Sequence, residues 1–307
     1  MREYTIDTST VGLDEVFSYE ETSEERLSAL DDRHIVKYRT KTIKSGDVLE
    51  CEVYPIWNNI ASTSRAKKAK KSRQAQKNLN DKNALKNVIR LVNTNFTDSD
   101  IWGTFTYETR KLPKSVEEAE KSFGNFIRRL KYYAKKHSFP PVKYVYWTEF
   151  EDDEKKDKHR VHHHVITNFP DRDVMESLWR NGARTQTRRL QADESGYEGA
   201  VRYCMKDPKG TKRYKASKNL KKPTITVADT KFTRRKVNGI IRGDVNAVDV
   251  FESLYAGYDI THIEHKTSDY VTGAYLYVKM ARRKNERGRK GEVHKRKYKN
   301  DDRGGGI

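Results

Sequence analysis

Residues 159–167 read HRVHHHVIT and hold four of the chain's nine histidines. The β-branched content of the segment predicts a strand over 161–169. Side chains of a strand alternate between its two faces. His162 and His164 therefore project to one side and His163 to the other. Two imidazoles at this spacing can share a divalent ion, each through one ring nitrogen. The segment VKYVYWTEF, 142–150, is a second strand by composition. Between the two lies EDDEKKDKHR, 151–160, in which nine residues of ten are charged and which is expected to be a solvated turn. If the two strands pair antiparallel, Glu149 comes close to the histidines. Two histidines and one carboxylate would leave positions open for water or a phosphate oxygen. Such a mixed nitrogen and oxygen set suits Mn²⁺, and Mg²⁺ less comfortably. The competing reading is that the imidazoles pack or hydrogen-bond without a metal, as a single strand histidine ordinarily does. The alternation favours His162 and His164 as ligands over His163.

The flanking sequence gives these strands helices to pack on. DIWGTFTYE, 100–108, is rich in β-branched and aromatic residues and predicts a central strand. A helix is expected over 115–137, because Ser115 and Glu118 form a capping box. Val116, Ala119, Phe123, Phe126, Ile127 and Leu130 form its apolar stripe. Short helices are predicted in DRDVMESLWRNG and in GYEGAVRYCMKD, where Glu198 and Arg202 pair at i,i+4. Further on, DVNAVDVFESLYAGY reads as a helix and DYVTGAYLYVKMAR as a strand. Near the start, a hairpin is expected around Ser45-Gly46-Asp47. The pattern predicts an α+β fold, a central antiparallel sheet with helices packed on it.

Charge narrows the class of partner. The 307 residues carry a net charge of +19, with 35% charged residues and a mean hydropathy of −1.00. Residues 1–60 are net −6, so the remainder is +25. A balance this basic predicts a polyanionic partner, because lysine and arginine gain affinity by displacing counterions from phosphates. SRAKKAKKSRQAQK, 64–77, holds seven positive charges and no acid. With Leu85, Val88, Ile89 and Val92 following at helical spacing, it reads as a basic helical arm leading into an amphipathic helix. Lys67, Lys68, Lys70, Lys71 and Arg73 are its candidate phosphate contacts, against the plainer reading of a solvated helix face. Residues 281–307 form a basic tail that is expected to be flexible. Cys51 and Cys204 form no CxxC and no zinc-spaced set, which suits a reducing interior. No apolar run approaches the roughly 18 residues of a membrane span, and residues 1–15 lack a signal-peptide core. The expectation is a soluble cytoplasmic protein.

Tyr203-Cys-Met-Lys206 adds a candidate nucleophile. On a helix, positions i and i+3 share a face. A cation beside a phenol favours the phenolate, and it can also hold a phosphate. A tyrosine that attacks a phosphodiester leaves a covalent phosphotyrosine and frees a 3′ hydroxyl, so the cut can be resealed. Taken alone the motif is weak, because the chain has 18 tyrosines and most tyrosines simply pack. A metal site and a lysine-supported tyrosine on a basic α+β chain together specify one chemistry.

These motifs resemble the HUH endonuclease superfamily, in particular the rolling-circle replication initiators (Rep proteins) of phages and plasmids. The family's two histidines flank one residue, which here is His163. WGTFTYE, 102–108, is similar to the family's first strand motif, and Tyr203 with Lys206 matches its YxxK helix. The resemblance implies an RRM-like palm and metal-dependent, site-specific nicking and rejoining of one DNA strand through a 5′-phosphotyrosine. It implies Tyr203 as nucleophile with Lys206 beside it, and Tyr197 as the rival nucleophile. Glu149, His162 and His164 would hold Mn²⁺ or Mg²⁺. GTKRYKASKNLKKPTI, 210–225, resembles the basic segment after the tyrosine helix in phage-type members, so Lys212, Arg213, Lys218, Lys221 and Lys222 join the candidate DNA contacts. The implied partners are single-stranded or hairpin origin DNA and, since no GxxxxGK[ST] motif occurs, a helicase and polymerase of the bacterial host. The expected division is an N-terminal segment 1–60 of unassigned role, the basic arm 61–95, a nicking domain 96–280 with its core at 100–225, and the tail 281–307. Two alternatives stay open: a relaxase or single-tyrosine transposase of the same superfamily, and a non-catalytic basic DNA-binding regulator. Only the catalytic readings require Tyr203 to lie beside the histidines.

Overall fold

A computed structural model describes residues 4–5, 35–59, 73–153, 158–182, 185–206, 212–267 and 273–283. The chain begins with a short strand β1 (Tyr4–Thr5), then the hairpin of β2 (Ile35–Ser45) and β3 (Val48–Asn59). Gly46 makes the turn at φ +61°, where an added Cβ would sit 2.1 Å from the Asn93 carbonyl oxygen, so the position demands glycine twice over. Helix α1 (Arg73–Asn95) follows, then β4 (Ile101–Thr106) and α2 (Val116–Lys136). The Ser115 hydroxyl caps α2 by accepting from the Glu118 N–H, and the Glu118 carboxylate accepts in turn from Lys114 N–H at 2.8 Å. Next come β5 (Tyr144–Asp153), β6 (Lys158–Thr167), α3 (Arg172–Ser177), β7 (Thr185–Arg189) and α4 (Glu198–Cys204). The chain continues through β8 (Lys215–Ala216), β9 (Thr224–Ala228), α5 (Arg234–Arg242), α6 (Ala247–Leu254), β10 (Tyr258–Thr267) and β11 (Ala274–Arg282).

The fold is α+β, with antiparallel sheets and helices packed on them. The first sheet has the order β7-β4-β6-β5-β8. One face carries Ile101, Phe105 and Val165 and is covered by Phe123, Phe126, Ile127 and Leu130 of α2. The other face carries Val145, Trp147 and Ile166, and Val88, Ile89 and Val92 of α1 and Val201 and Cys204 of α4 pack there. The β5–β6 hairpin is longer than the sequence reading allowed. Of the turn expected over 151–160, residues 151–153 belong to β5 and 158–160 to β6, while 154–157 lie outside the described residues. The register sets residue 151 opposite 160 and residue 153 opposite 158.

A second sheet was not foreseen from the sequence. Its order is β10-β11-β3-β2-β9, with β1 also paired to β3. The N-terminal hairpin and the C-terminal strands thus share one ladder. Leu49, Cys51 and Val53 of β3 pack with Leu276, Val278 and Met280 of β11 and with Val237 of α5 and Phe251 of α6. Residues 281–283, assigned to the tail by sequence, continue this sheet: Arg282 N–H donates to Asp47 O and Arg283 N–H to Gly257 O, each at 2.8 Å. Among the described residues no helix is long and apolar enough to cross a membrane.

Helix α1 joins the sheets. Its apolar stripe faces the first, while Arg90 reaches the second and donates to Glu50 Oε1 at 2.9 Å and Oε2 at 2.6 Å. Burial works against the guanidinium's charge, but the hydrogen bonds and charges of Glu50 and Glu52 outweigh it and raise its pKa. Among the described residues, removing Arg90 would leave buried Glu50 with only the Tyr277 hydroxyl and buried Glu52 with only Lys41 at 3.4 Å, so the Glu50 charge would lose its cation. Arg90→Ala is expected to cost about 3–5 kcal/mol in urea unfolding; a loss of about 1 kcal/mol or less, typical of a surface pair, would contradict a buried tie.

Candidate metal and tyrosine site

Register assembles the site. In the β5–β6 ladder Glu149 stands opposite His162 and Trp147 opposite His164; in the β4–β6 ladder Thr104 stands opposite His164. Glu149 Oε2 lies 2.6 Å from His162 Nε2, and Glu149 Oε1 lies 3.4 Å from His164 Nε2. The ligand atoms of the three residues all fall within 4.8 Å of one another. His164 Nδ1 is 3.0 Å from Thr104 Oγ1. If His164 Nδ1–H donates to that hydroxyl, Nε2 presents a lone pair toward Glu149, the arrangement that orients metal-ligating histidines. His164 Nε2 is buried and lacks a hydrogen-bond partner, since its contact with Glu149 does not meet hydrogen-bond geometry. An orphaned buried nitrogen beside a carboxylate and a second imidazole is what a divalent cation would satisfy. Burial pushes the Glu149 carboxyl up, but its close contact with His162 outweighs this and brings it down to about 2, so it stays ionised.

His163 belongs to the opposite face. It is 0% exposed and stacks on Phe123 of α2, with ring centroids 4.3 Å apart. Its Nδ1 is 3.0 Å from Thr148 Oγ1 and its Nε2 is 2.9 Å from the Tyr107 hydroxyl. Burial, helped by the neighbouring His162 and His164, lowers its pKa to about 3, so it is a neutral core residue.

Tyr203 lies beside the histidines. Val201 and Cys204 anchor α4 on the metal face, and Tyr203, between them, is 59% exposed. Its ring meets His164 edge-on at 5.4 Å and Trp102 edge-on at 5.8 Å. Arg188 of β7 lies 3.9 Å over the Trp102 ring. The first turn of α4 is fixed from the second sheet, because Glu198 accepts from Lys279 of β11 and from Arg202. The helix ends at Cys204, so Lys206 lies just past it rather than on it, exposed, with its N–H 3.4 Å from the Tyr203 carbonyl.

Tyr197 occupies different surroundings. It is buried at the start of α4, its N–H donates to Asn93 Oδ1 at 2.8 Å, and its hydroxyl donates to Asp98 at 3.0 Å. Burial and the Asp98 carboxylate both raise its pKa.

Of the candidate DNA contacts, Lys67, Lys68, Lys70 and Lys71 lie outside the described residues, and Arg73 opens α1. Lys212, Lys218, Lys221 and Lys222 are exposed. Arg213 is instead paired with Asp81 of α1. The segment is tied to α1 by Asn95, which donates to Lys221 O and accepts from Lys221 N–H, both at 2.8 Å. The sequence reading missed Trp102, Thr104, Arg188 and Lys279. Trp102 and Thr104 share a face at i,i+2, but only the register shows that it is the histidine face.

The two roles of the histidines separate by experiment. His164→Ala should lower Mn²⁺ affinity by more than about 10-fold in titration calorimetry. His163→Phe should keep Mn²⁺ affinity but destabilise by about 1–3 kcal/mol for each hydroxyl it leaves unpaired. The reverse outcome would exchange the two assignments.

Residues 100–209 match a family model of replication-associated proteins, the ORF2 type. The match spans about a third of the chain, from the start of β4 past α4, and takes in the triad and both tyrosines. Comparison with curated proteins gives no match, and comparison with solved structures gives none. Over the segment that holds the candidate site, the chain is similar to replication-associated proteins, which supports a replication initiator, a protein that binds origin DNA.

Proposed function

We propose that the chain initiates rolling-circle replication of a phage or plasmid type of element by nicking and rejoining one strand at its origin. The observation that carries this reading is the 5.4 Å edge contact between the Tyr203 ring and His164 of the Glu149–His162–His164 set. Tyr203 Oη attacks the scissile phosphorus as its proton leaves. The bond from phosphorus to the 3′ oxygen breaks, and the 3′ end departs as a hydroxyl. The 5′ phosphate stays on Tyr203, and attack by a 3′ hydroxyl reverses the step without outside energy.

Glu149, His162 and His164 would hold Mn²⁺ or Mg²⁺, which when bound polarises and orients the phosphate. Thr104 fixes the His164 ring. Trp102 and Arg188 flank the tyrosine and present a stacking surface and a positive charge to an incoming strand. Lys206 is assigned to the phosphate. Tyr203 is preferred over Tyr197, whose hydroxyl is engaged by Asp98. Exposed Lys218, Lys221 and Lys222 are assigned to flanking DNA, as are the lysines at 67–71. Residues 100–225 are taken as the nicking module, with unwinding and synthesis left to a host helicase and polymerase.

The test is a gel. With labelled single-stranded DNA and Mn²⁺ the protein should give an adduct stable to SDS. Tyr203→Phe should abolish the adduct and leave DNA affinity within a few-fold; an adduct retained by that variant would move the nucleophile to Tyr197. His164→Ala should lose cleavage far more than affinity, and equal loss of both would make His164 structural. No adduct from the unaltered protein on origin-bearing DNA would favour the non-catalytic regulator.

A further inference from the structure

Helix α2 carries a feature that nicking does not use. Between residues 121 and 136 it has six lysines and arginines and no acidic residue. Arg128, Arg129, Tyr132 and Lys136 line one groove with Leu178 and Arg180, which follow α3. Phe123 of the same helix stacks on His163, so the groove lies on the side of the sheet away from the metal triad.

A solvated basic helix face would explain exposed lysines, and the helix dipole favours Lys135 and Lys136 in the last turn. Neither explains Arg129. Its Nε donates to Leu178 O at 3.0 Å, which pins the guanidinium, yet one terminal nitrogen is buried with no hydrogen-bond partner. Burial and the like charge of Arg180 depress its pKa, the mark of a cation without a counter-ion. Among the described residues no carboxylate lines the groove; Glu108, close by in sequence to Lys111, pairs with that lysine, whose ammonium donates to Arg180 O. On the rim Tyr132 is 72% exposed, and Tyr133 stacks on His137 at 4.0 Å.

A pinned cation and an exposed one beside an exposed aromatic ring form the combination that binds single-stranded nucleic acid, the cations taking phosphates and the ring taking a base. The geometry points to a second single-stranded DNA site on the outer side of α2, opposite the nicking face, with Arg129 and Arg180 on the backbone and Tyr132 under a base. It rests on the proposed function only in taking DNA as the partner. Such a site would hold the strand flanking the nick while the other face does the chemistry.

The full-length protein carrying Lys136→Gln and Arg180→Gln, both exposed positions, tests it. Affinity for a long fluorescent oligothymidylate should fall about 10-fold or more, and the slope of log affinity against log salt should flatten by about 0.7 for each phosphate no longer held. Tyr132→Ala should weaken the long single strand and spare duplex of the same length. Unchanged affinity and slope on the long strand would overturn the inference, and so would equal weakening on duplex. The outcome is independent of catalysis: the variants should still form the tyrosine adduct if the nicking reading holds, and the affinity change stands even if no adduct forms.

Discussion

The whole site depends on the two-residue alternation of β6 between fixed neighbours. Because side chains on a strand switch faces at every step, a one-residue slip would send His162 and His164 into the core and His163 to the surface. His163 itself opposes the slip. It is held by Thr148 and by Tyr107, just beyond β4, and is stacked on Phe123. Thr167 adds a bond to Lys143 O at 2.8 Å at the other end of the hairpin. Three consecutive histidines therefore do two jobs: the middle one sets the register that lets the outer two meet Glu149.

The tyrosine is positioned by longer-range contacts. Helix α4 has seven residues, too short to be stable alone. Its apolar side is held by the first sheet and α1, its N–H at Tyr197 by Asn93, and its first acidic residue by Lys279 of the second sheet. The second sheet in turn is tied to α1 through Arg90 and the Glu50–Glu52 pair. The geometry of the candidate site at residues 149–203 thus depends on strands at both ends of the chain, which gives the N-terminal hairpin a structural role in the site.

What could be read in the sequence follows from the range of each interaction. The capped helix α2, the β5–β6 hairpin and the Glu149–His162–His164 grouping rest on local periodicity and one hairpin register, and all three were legible. The second sheet was not, because β2 pairs with β9 and β3 with β11, partners far apart in sequence whose matching no local pattern encodes. The extension of β5 and β6 was hidden by charge, because a run of charged residues reads as a solvated turn until the backbone ladder is seen to continue through it. Arg90 looked like one more basic residue on a helical arm; only its partners, some 40 residues away, reveal a buried ion pair. Lys206 was assigned to the tyrosine helix by spacing alone, and the stop at Cys204 moves it past the end.

The central claim is that one cation and one phenol oxygen converge on a single DNA phosphate. Anomalous diffraction from crystals grown with Mn²⁺ and an uncleaved oligonucleotide bound to the Tyr203→Phe variant measures this directly. A manganese peak liganded by Glu149, His162 and His164 and touching one phosphate oxygen is expected. The ring edge at position 203 should face that phosphorus, at the reach of about 3–3.5 Å that a restored hydroxyl would need for attack. A peak elsewhere, or a phosphate on that peak with the ring at position 203 turned away from it, would contradict it.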